Sequence, residues 1–249
     1  MNTIFNHRSI RKFKPTEIPM PIMNRILEAA SRASTTGNMQ VYSIVVSTEK
    51  EIKERLLPCH FNQKMVVEAP AVLTFCADFN RFNQWCELSN ASPGYDNYLS
   101  FFTAAIDALL ASQNAALEAE ANDLGICYLG TTTYMADQII EVLNLPRGVV
   151  PVTTIALGYP DENPPLTDRL PMDAIVHWET YQEFNPERIK AIYHERESSD
   201  FTQALLRENQ KETLAQIFTD NRYKKSDNLF FSKKFLEILK KQGFMNHDE

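Results

Sequence analysis

The run "SFFTAAIDALLASQNAALEAEANDLG", residues 100–125, constrains the fold more than any other stretch of the chain. Its alanines and leucines are strong helix formers, and Gly125 stands at a C-cap-like position, so the run predicts one long helix. Apolar residues occupy much of its circumference. A helix of that kind is either the central buried helix of a core or has its outer face covered by a partner.

The flanking sequence supplies the layers such a helix needs. "TEIPMPIMNRILEAASRAS" predicts a helix: Thr16 stands ahead of it, Pro21 suits a first-turn position, and Ile22, Ile26, Leu27 and Ala30 recur at helical spacing. It stops in "STTGNMQ", where Gly37 and Asn38 are breakers. "VYSIVVST", "AVLTFCADF" and "VVPVTTIALGY" are β-branched or aromatic runs that read as strands. Between the first two, a helix runs to about Leu57, ends at Pro58, and is followed by a second short helix. "ICYLGTTT" leads into a helix around "MADQIIEVLNL". "PDENPPLTDRLP" holds four prolines in twelve residues and reads as an ordered loop. Beyond His177 the chain is charged and mostly helical. The pattern predicts an α+β body followed by a helical C-terminal extension.

Composition limits what this body can do. The 249 residues carry a net charge of −7, which argues against nucleic acid or an anionic membrane as partner. No apolar run approaches the ~20 residues of a membrane span. The four cysteines, Cys59, Cys76, Cys86 and Cys127, form no CxxC pair, and no secretory apolar region precedes them, so they read as reduced thiols of a cytoplasmic protein. The five histidines are scattered and no HExxH or GxSxG occurs, which leaves no support for a metal site or a serine hydrolase. The seven glycines form neither GxGxxG nor GxxxxGK[ST].

Any anion must therefore be met by a local cluster of cations. "NHRSIRKF", residues 6–13, is that cluster. Guanidinium groups fork onto phosphate oxygens, and a serine hydroxyl and an imidazole add donors. The same residues would equally make a basic arm engaged in surface ion pairs.

Six segments, taken in order, favour the first reading. "HRSIRKF", "STTGNMQ", "FNQKMVVEAP", "FCADFNR", "GICYLGTTT" and "LGYPDENPPLTDRLP" together resemble the FMN-dependent nitroreductase family, and within it the oxygen-insensitive, NADPH-linked nitroreductases and related flavin reductases. The resemblance covers residues 5 to 185 and persists weakly to "KKQGF". It implies a mostly antiparallel central sheet flanked by helices, with an FMN-binding core over residues 1–183. It also implies a helical extension over 184–249 that embraces the other subunit of a homodimer, with FMN at the interface.

The implied site residues follow by position. His7, Arg8 and Ser9 match the phosphate and ribityl end of FMN. Arg11 matches the residue at the N1–C2 carbonyl side of the ring, where a fixed cation stabilises the charge that reduction develops. Ser34 and Thr35 match polar cofactor contacts, and Gln63 matches an amide at the ring edge. Tyr128 and Gly130 belong to a backbone segment passing close to the ring, where glycine permits the approach. Arg169 matches an arginine that clasps the phosphate. The family lysine two residues before it is replaced by Thr167, and Asp168 lies between them. Arg196 is a candidate for the 2′-phosphate of NADPH. The implied activity is reduction of nitroaromatics or quinones by ping-pong hydride transfer from NADPH or NADH. Supply of free reduced flavin, or a flavin carrier or sensor without turnover, is the alternative.

Overall fold

The structure, a computed structural model, describes residues 3–247. It divides into two compact units, one formed by the residues up to 165 together with those from 232 onward, the other by Leu166–Phe231. The segment expected as one extension from residue 184 is thus shared: its last part belongs to the first unit.

The first unit is built on four strands, β1 (Tyr42–Ser47), β2 (Ala71–Asp78), β3 (Gly125–Tyr128) and β4 (Val149–Gly158), in the order β1-β2-β4-β3. Every neighbouring pair is antiparallel, which is the α+β sheet expected. Pro151 sits inside β4, where a proline removes a ladder donor. The register accommodates it: Phe75 pairs with Thr153 and Cys76 with Pro151, so Val152 is skipped as a bulge.

Six helices of this unit are α1 (Met20–Ser31), α2 (Lys50–Leu56), α3 (Met65–Glu68), α4 (Asn80–Leu88), α5 (Tyr98–Ala121) and α6 (Ala136–Val142). Helix α4 has no counterpart in the sequence expectations; its polar stretch hides an amphipathic turn. Helix α1 starts at Met20 with Pro19 at its N-cap, and Pro21 lies in its first turn as expected. Helix α5 is the long helix expected, opened by Asn97, whose Oδ1 accepts from Ser100 N at 3.1 Å.

The side-chain alternation of the strands sorts the core into two faces. Leu73, Phe75, Ile155 and Leu157 pack with Met23, Ile26 and Ala30 of α1 and with Ala108, Ala111 and Ala115 of α5. On the opposite face Val72 and Ala156 pack with Leu56, Val66 and Ile139 of α2, α3 and α6. The small alanine face of α5 explains its close seat on the central strands. Its other face is apolar but open, with Leu99, Phe102, Ile106, Leu109 and Leu110 all exposed. A lone buried lysine, Lys53, donates to Ala69 O at 2.6 Å and so covers a carbonyl just past the end of α3.

Second-unit helices are α7 (Pro186–Ser198), α8 (Asp200–Asn209) and α9 (Leu214–Gln216), and α10 (Lys225–Lys241) carries the chain back into the first unit. Asn185, Ser199 and Thr213 cap α7, α8 and α9 through their side chains. Leu206, Leu214 and Ile217 form the unit's small core. In the first unit, the residues after α10 end on Phe244, which is buried against Phe101 at a ring separation of 5.8 Å.

Gly125 corrects an expectation. The left-handed residue closing α5 is Asp123 (φ 62°), and Gly125 is the first residue of β3. Its requirement is space: a Cβ there would lie 2.5 Å from Ile10 Cγ1 and 2.8 Å from Ile10 Cβ. Gly125→Ala is therefore expected to cost ~1–3 kcal/mol in denaturant unfolding, as overpacking does. Adding Ile10→Ala should recover part of that loss. Losses that simply add would show that no such contact exists.

Candidate functional site

The N-terminal run lies along the edge of the sheet. Ser9 bridges Ile126 in parallel, Ile10 N donates to Ile126 O at 2.8 Å, and Phe13 bridges Pro160. Buried Ile10 and Phe13 anchor it, which leaves Arg11 and Lys12 between them exposed and His7, Arg8 and Ser9 before them half-buried. A loop after β4 straps the run from the other side. Asp161 N donates to Lys12 O at 2.9 Å, and Glu162 Oε1 accepts from Arg11 N at 2.5 Å and Lys12 N at 3.0 Å. Asn163 Oδ1 accepts from Arg8 Nη1 at 2.7 Å.

These bonds fix the backbone under a row of cations. Arg8 Nε is buried without a hydrogen-bond partner, a donor poised for an acceptor that the chain itself does not supply. Arg11 is exposed, with its backbone and not its guanidinium taken by Glu162. His7 is turned to helix α5, its Nδ1 2.6 Å from Glu120 Oε1.

The Ser34–Thr35 segment is held from below. Buried Asp107 of α5 accepts from Thr36 N at 3.0 Å and from Val41 N at 3.4 Å, and so pins both ends of a loop in which Gly37, Asn38 and Gln40 all have positive φ. Ser34 is exposed and Thr35 half-buried. Burial, with Asp107 nearby, also pushes the Tyr42 phenol up.

Gln63 and Gly130 sit on two loops joined by a buried polar contact and by the Phe61 and Tyr134 rings, 6.3 Å apart. Gln63 Nε2 donates to His60 O at 3.1 Å, and His60 Nδ1 lies 2.9 Å from Thr131 Oγ1. Gly130 faces open space, with no atom within 4 Å of the Cβ position. Tyr128 at the end of β3 bonds Ser112 Oγ at 3.2 Å, and burial raises its phenol. Thus His7, Arg8, Ser9, Arg11, Ser34, Thr35, Gln63, Tyr128 and Gly130 all belong to the first unit.

Arg169 and Arg196 belong to the second unit. Arg169 Nη1 turns into its own loop, onto Thr167 Oγ1 at 2.6 Å and Asp168 O at 2.9 Å. Arg196 pairs through Nε and Nη2 with the Asp168 carboxylate at 2.5 and 3.3 Å, and this bond holds Asp168 below the usual carboxylate range.

Asp107, Glu162, Asn163, His60 and Thr131 are the supports that sequence reasoning did not find. Each acts on residues 66 to 155 positions away, and none stands in a recognisable spacing with its partner. Among the described residues no cluster of three or more His, Cys, Asp or Glu could hold a metal ion, and no helix is long and apolar enough to cross a membrane.

An antiparallel four-stranded sheet, covered by helices on both faces and edged by an anchored cationic run, defines an α+β protein with a cationic rim. The chain belongs to the nitroreductase family, whose model matches residues 4–159. It is 36% identical over 183 residues to an FMN reductase (NADPH) of Bacillus subtilis, covering 73% of this chain and 74% of that one. It is 35% identical over 189 residues to an oxygen-insensitive NADPH nitroreductase of Salmonella typhimurium, covering 76% and 77%. Among solved structures, a candidate oxidoreductase of Bacteroides fragilis superposes with a TM-score of 0.97 at 51% identity, over 99% of this chain and 100% of that one.

His60 is fully buried, and desolvation lowers its pKa to about 4. The unfolded chain takes up a proton at this residue below about pH 6.5, while the native chain refuses it until about 4. Stability is therefore expected to fall as pH drops through that window, by up to ~3 kcal/mol from this group. His60→Asn, compared with wild type in denaturant unfolding at pH 7 and pH 4.5, should show a smaller fall. Identical pH dependence would mean that His60 titrates normally.

Proposed function

We propose that the chain is an FMN-dependent NAD(P)H oxidoreductase acting on flat, electron-poor acceptors such as nitroaromatics and quinones. The observation that carries this reading is the anchored cationic run, with a buried, unpartnered guanidinium nitrogen on Arg8. The names of the relatives, an FMN reductase and a nitroreductase, support the same chemistry. The first of them also favours a second reading, in which the acceptor is a free flavin.

When bound, FMN would supply the two-electron redox chemistry between NAD(P)H and the acceptor. The chain's residues bind and orient. Arg8, with Ser9 and His7 beside it, is assigned to the phosphate end. Arg11 is assigned to the ring's N1–C2 side, where its charge offsets the negative charge of reduction. Ser34, Thr35, Gln63, Tyr128 and Gly130 are assigned to the remaining cofactor contacts. Arg169 is assigned to the phosphate and Arg196 to NADPH selection by resemblance alone.

The open apolar face of α5 supports a homodimer, because Leu99, Phe102, Leu109 and Leu110 form a contiguous helical stripe that water covers poorly. Leu109→Glu is expected to convert a dimer to a monomer in sedimentation without loss of helical signal. A variant that sediments like wild type would remove this face from the interface.

The direct test is oxidation of NADPH by the yellow holoprotein with and without a quinone. Arg8→Ala is expected to weaken FMN binding roughly 10- to 100-fold, as loss of a charge-assisted bond predicts. Fluorescence titration of the apo-protein measures it, and unchanged affinity would take Arg8 out of the site.

A further inference from the structure

We propose that His60, with Thr131, is a positioning residue that sets the spacing of the two loops assigned to the cofactor ring, and so tunes how the ring is held. The inference rests on the FMN reading above.

The geometry is specific. His60 ends a short 3-10 turn, Pro58–His60, after which Phe61 and Asn62 both take positive φ (53° and 57°) and deliver Gln63. Two bonds return from Gln63 to His60 O, one from its backbone N at 3.1 Å and one from its side-chain Nε2 at 3.1 Å. The position of Gln63 is thus referred to His60. Across the gap, Thr131 is nearly buried and follows Gly130 directly; Leu129 N donates to Thr154 O at 2.8 Å, which ties the start of this loop to the sheet. Beyond that tie, a buried polar contact joins the loops, His60 Nδ1 to Thr131 Oγ1 at 2.9 Å, beside the Phe61 and Tyr134 rings at 6.3 Å.

The other ring nitrogen explains why the contact is one-sided. Nε2 is buried without a partner. An orphaned buried N–H is a rarer defect in proteins than an under-satisfied acceptor. The favoured tautomer therefore carries its proton on Nδ1 and donates to Thr131 Oγ1. That leaves the threonine hydroxyl hydrogen free to donate. A core histidine kept only for volume needs no such bond, and an apolar residue would fill the space without burying a polar nitrogen.

The variants follow from that proton. Asparagine places an N–H where Nδ1 stands, whereas leucine keeps bulk and removes the donor. Thr131→Ser keeps the acceptor and Thr131→Val removes it with little change in shape. FMN affinity would be measured by fluorescence titration of each apo-protein, and the visible absorption band of bound flavin recorded on each holoprotein. His60→Leu and Thr131→Val are each expected to weaken FMN binding about 10-fold and to shift the band. His60→Asn and Thr131→Ser should stay near wild type, and the Leu/Val double variant should be no worse than either single one. Thr131→Val decides the matter if His60→Leu does not fold. Variants that lose thermal stability but keep wild-type affinity and spectrum would overturn the inference while leaving the FMN reading intact. A wild-type protein that takes up no FMN would overturn both.

Discussion

The alanine face of α5 against β2 and β4 is the contact on which the rest of the first unit depends. Ala108, Ala111 and Ala115 are almost wholly buried there, and small side chains let the helix axis come close to the strands. Close packing in turn buries Asp107 on the same helix, at 1% exposure. A carboxylate taken out of water is costly unless it is hydrogen-bonded. The two backbone N–H groups of Thr36 and Val41 supply those bonds, so the loop between them is drawn down onto the helix. The scaffold contact and the placement of Ser34 and Thr35 are thus one arrangement.

The second constraint is the crossing of Ile10 over Gly125. It brings the N-terminal run onto the sheet edge, and the strap through Glu162 and Asn163 then fixes it from outside. Glu162 has an electrostatic role as well. It takes backbone donors of Arg11 and Lys12, so its negative charge offsets the cation cluster without capping the guanidinium groups. An acidic protein can in this way keep a local positive rim that its net charge would otherwise mask.

Much of this was legible in the sequence, and the limits have physical causes. The strands and the long helix follow from periodicity and β-branching, and the family from six segments in order. Gly125 was misread because a glycine after a helical run fits a C-cap as well as a close crossing, and only the partner side chain, Ile10, separates the two. Helix α4 was missed because Asn80, Arg81, Asn83 and Gln84 dilute its apolar face. Asp107 looks like an ordinary helix polar residue until packing buries it, and His60 is one of five scattered histidines until the fold sets it against Thr131. Local sequence encodes elements; these supports exist only through contacts between distant elements.

In the second unit, Thr167 and Asp168 engage the two arginines that the resemblance assigns to phosphates. Asp168 pairs with Arg196, and Thr167 accepts from Arg169. Of the two arginines assigned by resemblance to phosphates, Arg169 is thus engaged within its own loop and Arg196, on α7, by Asp168 of that loop. Such pairing is compatible with the anion-binding roles proposed for them. An exposed ion pair contributes only ~0–1 kcal/mol, whereas a charge-assisted bond to a phosphate is worth roughly 1.5–3. Exchange of Asp168 for a phosphate therefore runs in favour of the phosphate, by less than a free arginine would give. In the proposed role, breaking the pair would subtract the same free energy from any anion taking Asp168's place, so it would lower affinity without changing the order of ligands.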